Sequence, residues 1–312
     1  MHKKIVCLLA LAFCVVAAFA LAGCSSQEEY TPSLGEPTLA PPAIGEEGVL
    51  RVGVNTQRSP LAGQGNEKII GIDVDIASAI ADELGLKVDI QDVGADADKA
   101  LAEGEVDIVM GQESVDETEG IWHSEQYLPT GVVLFAKEGS GAQMPTGAVT
   151  PKIAAQISSK SAWAVTNAFG EEALASTGDL ATAFSDLSSG SVDFVASDAV
   201  IGMYAANLQD VPVEVVCLMD TASGYCIGVK SDNAELQEAV QGALTAIIDN
   251  GLVGVIEDKW LGTAVVLTDV PKVEAKAKVS DANEPEEGAE ATEGDAEASS
   301  SSSSSASDTS LA

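Results

Sequence analysis

One short pattern is written twice in this chain, and that repeat constrains the fold more than any other feature. Leu101 to Ser114 reads LAEGEVDIVMGQES, and from Leu187 the chain reads LSSGSVDFVASDA. Leu101, Gly104, Val106, Asp107 and Val109 answer to Leu187, Gly190, Val192, Asp193 and Val195. In each copy a helical segment ends at a glycine and an apolar run follows at once. Glycine past a helix end supplies the left-handed cap, and the short apolar run is the pattern of a buried strand. The copies read as equivalent helix-to-strand units in two similar lobes. The alternative at this point is two βαβ elements of one larger sheet.

The 312 residues suffice for one large domain or two moderate ones. The start has the form of an export signal: His2, Lys3 and Lys4, then an apolar run from Ile5 to Leu21. It closes on Leu21-Ala22-Gly23-Cys24, which resembles the lipobox of bacterial lipoproteins. That resemblance implies removal of residues 1–23, lipidation of Cys24, and anchoring at the extracytoplasmic face of the cell membrane without a spanning helix. Residues 24–47, with Pro32, Pro37, Pro41 and Pro42, read as a flexible tether. Residues 266–312, dominated by Lys, Glu, Ala and Ser and carrying a serine run from Ser299 to Ser305, read as a disordered acidic and Ser-rich tail.

Net charge is -34, which argues against nucleic acid as a partner and against a charge-driven hold on anionic lipid. Between tether and tail, strands and helices alternate. Leu50–Val54 reads as a buried strand, Asp73–Gly85 as a helix with Ile76, Ile80 and Leu84 on one face, and Leu86–Ile90 as a strand. Ala95–Glu103 and Asp179–Leu187 are helices that feed the two repeat copies. Gly131–Ala136 reads as a strand crossing between lobes, and Cys226–Val229 as a strand returning. Asn233–Asn250 and Val255–Trp260 close the fold as helices. Such alternation builds parallel sheet.

These stretches together resemble the family 3 (amino-acid type) extracellular solute-binding proteins of ABC importers. The resemblance rests on LRVGV at Leu50, GIDVDIASAIADELGLKV at Gly71, the two repeat copies, YCIGVK at Tyr225, and the run ending DKWLG at Gly262. It implies an α/β, two-lobed, type II periplasmic-binding-protein-like fold. A ligand cleft lies between lobes joined by two crossing strands. Lobe 1 is expected at 48–136 and 221–265, and lobe 2 at 137–220.

Ligands in open α/β sheets bind beyond the carboxyl ends of parallel strands, and both repeat copies deliver such an end. The expected ligand-binding residues are Asn55, Arg58, Gln112, Ser114, Ser159, Lys160 and Asp198. Asp198 matches the family position that holds a ligand amine, and it is equally well placed as a helix N-cap. Ser159 and Lys160 fall at a helix start that suits a carboxylate. One departure matters: the arginine that relatives place shortly after the Ser114 position is missing, and Val115-Asp116-Glu117-Thr118-Glu119 stands there. Two explanations stay open. Arg58 or Lys160 serves as the anion clamp, or the ligand is cationic and suits Glu113, Glu119 and Asp198. Asp116, Glu117 and Glu119 otherwise read as a solvated face. Asp73 and Asp75 read as helix-cap and first-turn acids, Asp107 and Asp193 as backbone anchors. Trp122 and Trp163 are assigned either to the cleft or to the core, and Trp260 to the core.

Cys7 and Cys14 leave with the signal. Cys217 and Cys226 form a candidate disulfide outside the cytoplasm, with two thiols as the equal alternative. Only His123 remains among histidines after signal removal, and no metal cluster, nucleophile elbow or phosphate loop is present in the sequence. No cofactor and no catalysis is expected. The chain reads as a monomeric, lipid-anchored binding protein. It captures an amino acid or related amine by lobe closure and hands it to an ABC permease. The rival readings are a dehydratase or lytic transglycosylase on the same fold, and a ligand-sensing lipoprotein.

Overall fold

The computed structural model describes residues 35–114, 118–146 and 149–273. The signal segment, Cys24, Asp116, Glu117 and the tail beyond Val273 lie outside the described residues. The first lobe opens with β1 (Val49–Val54), the short pair β2 (Gly63–Gln64) and β3 (Ile69–Ile70), and α1 (Ile72–Glu83). It continues through β4 (Lys87–Asp92), α2 (Ala97–Glu103), β5 (Ile108–Glu113), β6 (Ile121–His123) and β7 (Leu128–Thr130). The second lobe contains β8 (Val132–Lys137), β9 (Ile153–Gln156), α3 (Lys160–Phe169), β10 (Leu174–Thr177), α4 (Leu180–Ser189), β11 (Phe194–Asp198), α5 (Ala199–Leu208) and β12 (Val213–Leu218). The chain then returns to the first lobe with β13 (Ser223–Lys230), α6 (Ala234–Asp249) and α7 (Leu252–Leu261).

Two sheets result, ordered β4-β1-β5-β13-β6, with β7 also on β13, and β10-β9-β11-β8-β12. In each, three parallel strands are followed by one antiparallel strand that enters from the other lobe, β13 in the first and β8 in the second. The repeat copies supply β5 and β11, the central strands in equivalent places. Their helices end at Gly104 and Gly190, with φ of 75° and 77°, in the left-handed region that glycine reaches without cost. The repeat aspartates make the same bonds. Asp107 N–H donates to Arg51 O and Asp193 N–H to Lys152 O, both at 2.8 Å. Their carboxylates accept the N–H of Arg51 and of Lys152, both at 2.9 Å. Each ties the start of its strand to the neighbouring parallel strand. The one-sheet alternative therefore falls, and two lobes stand.

The helical apolar stripes become the core. Ile72, Ile76 and Ile80 of α1, and Leu236, Val240, Leu244 and Ile247 of α6, are buried in one apolar cluster. Fully burying such side chains stabilises by about 2 kcal/mol each relative to exposure. α7 packs on α1 and α6 and also on α5, so the first lobe's last helix touches the second lobe.

Four expectations change. β8 lies wholly in the second sheet, paired with β11 and β12. The first crossing is thus at Gly131, and lobe 1 ends at Thr130 rather than at 136. A continuous apolar run reports burial, not which sheet receives it. The described part of the expected tether is docked. Leu39, Ala43 and Ile44 are buried, and Thr38 bonds the carbonyl of Leu84 through N–H at 3.0 Å and Oγ1 at 3.1 Å. The start of the expected tail is docked as well. Leu267 and Val273 are buried, and Leu218 exchanges backbone bonds with Pro271 and Val273, both at 2.8 Å. Single apolar residues inserted into gaps carry no period, so pattern reading passes over them. Finally, no disulfide joins Cys217 and Cys226. They sit in different sheets. Burial pushes the Cys217 thiol up to about 12, and the Cys226 thiol donates to Gln112 O at 3.2 Å.

Candidate ligand cleft

A cavity of about 260 Å³ opens between the lobes at the carboxyl ends of β5, β9 and β11, where open α/β sheets hold ligands. The N-termini of α3 and α5, both from the second lobe, face it, and they differ. α3 is capped by Ser159, whose Oγ accepts the N–H of Ala162 at 3.0 Å, and no acid stands in its first turn. The N–H groups of Lys160 and Ser161 have no partner among the described residues, and both residues line the cavity. This end keeps its partial positive charge available.

α5 has its own anion. Asp198 Oδ1 accepts N–H groups from Val200 at 3.0 Å and Ile201 at 3.1 Å, and Oδ2 accepts the Thr130 hydroxyl at 2.5 Å. Burial raises the Asp198 pKa and the Glu113 charge adds to this, while the three hydrogen bonds oppose it. A carboxylate has about four acceptor positions. Three are used, which leaves one, and Asp198 lines the cavity. Asp198 is a helix cap and a cavity carboxylate at once.

The first lobe contributes Arg58, from the loop after β1. Its guanidinium donates to Gly111 O at 2.8 Å, lies 5.3 Å over the ring of Tyr225, and pairs with Glu113 at 3.4 Å. Glu113 also meets Lys160 at 3.8 Å, from the other lobe. A buried support lies beneath. Gly111 N–H donates to Tyr127 Oη at 2.9 Å, and Tyr127 donates to Asp73 at 2.5 Å. Gly111 has φ of 70°, and a Cβ there would come within 2.9 Å of Asp73 Oδ2, so only glycine lets the strand end approach this carboxylate. Desolvation pushes Asp73 up to about 6, against the Tyr127 hydrogen bond and the Arg58 charge. Asp73 therefore supports the cleft floor, and α1 has no side-chain cap bond.

Arg58, Ser159, Lys160 and Asp198 line the cavity. Asn55, Gln112 and Ser114 do not. Asn55 Oδ1 accepts the N–H of Gln57 at 3.0 Å within its own turn. Ser114 Oγ accepts the N–H of Gly224 at 3.2 Å and the amide of Gln126 at 2.8 Å. Gln112 and Ser114 alternate with Gly111 and Glu113 along the strand end, and the pleat turns alternate side chains to opposite faces. That alternation was the signal for Glu113. Thr130 and Tyr225 also line the cavity, from the strands on either side of the two crossings. Glu119 lines a separate pocket with Lys230 and Asp232, away from the cleft. Trp163 is exposed and absent from the cavity lining, correcting both readings offered for it. Trp122 packs half-buried on the core, and Trp260 donates to Asp75 at 2.7 Å. Among the described residues, no group of three His, Cys, Asp or Glu side chains could hold a metal ion.

The family model of bacterial extracellular solute-binding proteins, family 3, matches residues 50–263. Among solved structures, an ancestral cationic amino acid solute-binding protein is 26% identical, covering 69% of this chain and 96% of its own, with a TM-score of 0.58. A polar amino acid ABC uptake transporter substrate-binding protein from Streptococcus thermophilus is 22% identical, covering 70% and 88%, with a TM-score of 0.64. The L-cystine solute receptor of Neisseria gonorrhoeae, unliganded and open, is 21% identical, covering 70% and 94%, with a TM-score of 0.60. None of the curated proteins matches the chain.

Proposed function

Since the chain belongs to the bacterial extracellular solute-binding proteins of family 3, we propose that it captures an amino acid or related amine in this cleft and delivers it to an ABC permease. The observation that carries the reading is the pairing of two unlike helix starts across about 260 Å³. α3 offers the unpaired N–H groups of Lys160 and Ser161 to a carboxylate. Asp198 offers its remaining acceptor position to an ammonium. A zwitterion satisfies both ends at once. Arg58, held by Gly111 O and the Tyr225 ring, brings a first-lobe cation to the cleft, where it pairs with Glu113. Of the two earlier explanations, the cationic-ligand one loses Glu119, which lies outside the cleft.

Solute would draw the lobes together about the crossings at Gly131 and at 219–222, and the closed form would be what the permease recognises. Lipidation at Cys24 would hold the protein at the extracytoplasmic membrane face, working as a monomer. The reading as a carrier rather than an enzyme rests on the family. The name of the ancestral relative supports an amino acid as the solute class.

A melting screen over amino acids, polyamines, small peptides and organic acids tests this. A solute bound only by the native state raises Tm, by the equivalent of about 3 kcal/mol at a hundredfold excess over Kd. The expected hits are amino acids. A polyamine or dicarboxylate hit without any amino acid hit overturns the zwitterion assignment.

A further inference from the structure

Glu113 stands between the two basic side chains that line the cavity among the described residues, pairing with Arg58 at 3.4 Å and Lys160 at 3.8 Å. Each of its oxygens serves one cation, Oε1 for Arg58 and Oε2 for Lys160. The two cations come from different lobes. Arg58 follows β1, and Lys160 opens α3. Their arrangement is that of a two-point anion seat, and a side chain of the protein itself occupies it.

We propose that Glu113 is the specificity-determining residue of this cleft: it fills the anion seat formed by Arg58 and Lys160, and so excludes solutes that carry a second carboxylate. This rests on the proposed amino-acid reading and deepens it. The four charges of the cavity, Arg58, Lys160, Glu113 and Asp198, sum to zero. A net-neutral zwitterion enters without changing that balance. Its carboxylate goes to the unpaired N–H groups of α3 and its ammonium to Asp198. An acidic amino acid brings one more negative charge into a space that already holds two carboxylates, and the group that would neutralise it is engaged. Glu113 also adds to the raised pKa of Asp198, so the two carboxylates already feel one another. Like charge placed beside an unpaired carboxylate is the usual means of rejecting a wrong partner.

The inference predicts a reversal on removal of one charge. Glu113→Gln keeps the size of the side chain and leaves Arg58 and Lys160 without a carboxylate. The cavity then carries one net positive charge, and the seat is open to a solute's side-chain carboxylate.

The test is calorimetric titration of the full chain and of Glu113→Gln and Glu113→Asp with two near-isosteric pairs, glutamine against glutamate and asparagine against aspartate. In the unaltered protein each amide should bind more tightly than its acid, by roughly tenfold or more, the order of a close charge pair. Glu113→Gln should gain affinity for glutamate or aspartate by a similar factor, while Glu113→Asp keeps the original order. Folding of each variant is checked by its unliganded Tm. Glu113→Gln that binds neither acid better than the unaltered protein overturns the proposal. Unaltered protein that binds acid as tightly as amide overturns it too. Failure of the amino-acid reading looks different: the unaltered protein then binds none of the four, and a gain of acid binding in Glu113→Gln alone would still support the anion seat.

Discussion

Thr130 donates its hydroxyl proton to Asp198 Oδ2 at 2.5 Å, so the last residue before the first crossing holds the carboxylate at the head of α5. The bond joins the two lobes beside the first crossing and at the cavity in one contact.

Thr130→Val removes a bond that lowers the Asp198 pKa, which burial has already raised. Only the ionised carboxylate pairs with an ammonium, so amino acid affinity weakens as pH falls through the Asp198 pKa. In Thr130→Val that weakening is expected to begin at higher pH, with a stability loss of about 1 kcal/mol for the lost hydrogen bond. Titrations across a pH series in both proteins check the shift. Superimposable profiles would detach Asp198 from the solute.

Ser159→Asp separates the fold from the site. Aspartate caps helices at least as well as serine, and its charge suits a helix N-terminus. Tm is therefore expected to hold or rise. The same charge occupies the positive end of α3 that the solute carboxylate is proposed to use, so solute affinity should fall by about tenfold or more. Retained affinity would move the carboxylate elsewhere in the cleft.

Asp73 gives a stability signature. Its pKa is raised from 3.8 to about 6, chiefly by desolvation. A raised carboxyl pKa contributes stability that is fully present below the unfolded value and is lost as pH rises through the folded one. The loss spans roughly pH 4 to 6 and amounts to about 3 kcal/mol. Asp73→Asn does not titrate. The stability difference between variant and unaltered protein is expected to grow in the variant's favour over that window and then level off. Urea unfolding at stepped pH reads it, and a pH-independent difference would contradict a buried, ionising Asp73.

Much of this architecture was legible in the sequence because it rests on period and punctuation. The repeat fixed β5 and β11 as equivalent, and the left-handed glycines at 104 and 190 and the backbone-bonded Asp107 and Asp193 follow from it. The place of Arg58, Ser159, Lys160 and Asp198 on the cavity wall was legible because strand ends and helix starts have local signatures. Gln112 and Ser114 lie off the cavity, because the choice between faces at a strand end depends on a one-residue register, which the pleat converts into opposite directions. The place of Thr130 and Tyr225 at the cavity was not legible, even with the YCIGVK stretch recognised, because it is set by the crossings, a tertiary relation. The docking of Leu39 and Ile44 was missed for the related reason that proline-rich, aperiodic chain resembles a free linker whether or not it finds a groove.

Ile44 tests that docking. It is almost fully buried against the first-lobe core, and the adjoining Gly45 N–H donates to Asp107 at 2.9 Å. Ile44→Ala is expected to cost about 3 kcal/mol, the usual loss for truncating a buried isoleucine. A loss under about 0.5 kcal/mol, the scale of a surface change, would mean that residues 38–45 do not belong to the folded unit.

The most direct test of the cleft assignment is calorimetric titration of the best amino acid from the melting screen into the unaltered protein and into Asp198→Asn. Asparagine preserves the cap of α5 and removes only the charge. One-to-one binding by the unaltered protein, weakened roughly ten- to a hundredfold in Asp198→Asn with little change in the unliganded Tm, is the predicted result, the scale of a hydrogen bond to a charged group. Equal affinity in the two proteins would contradict it.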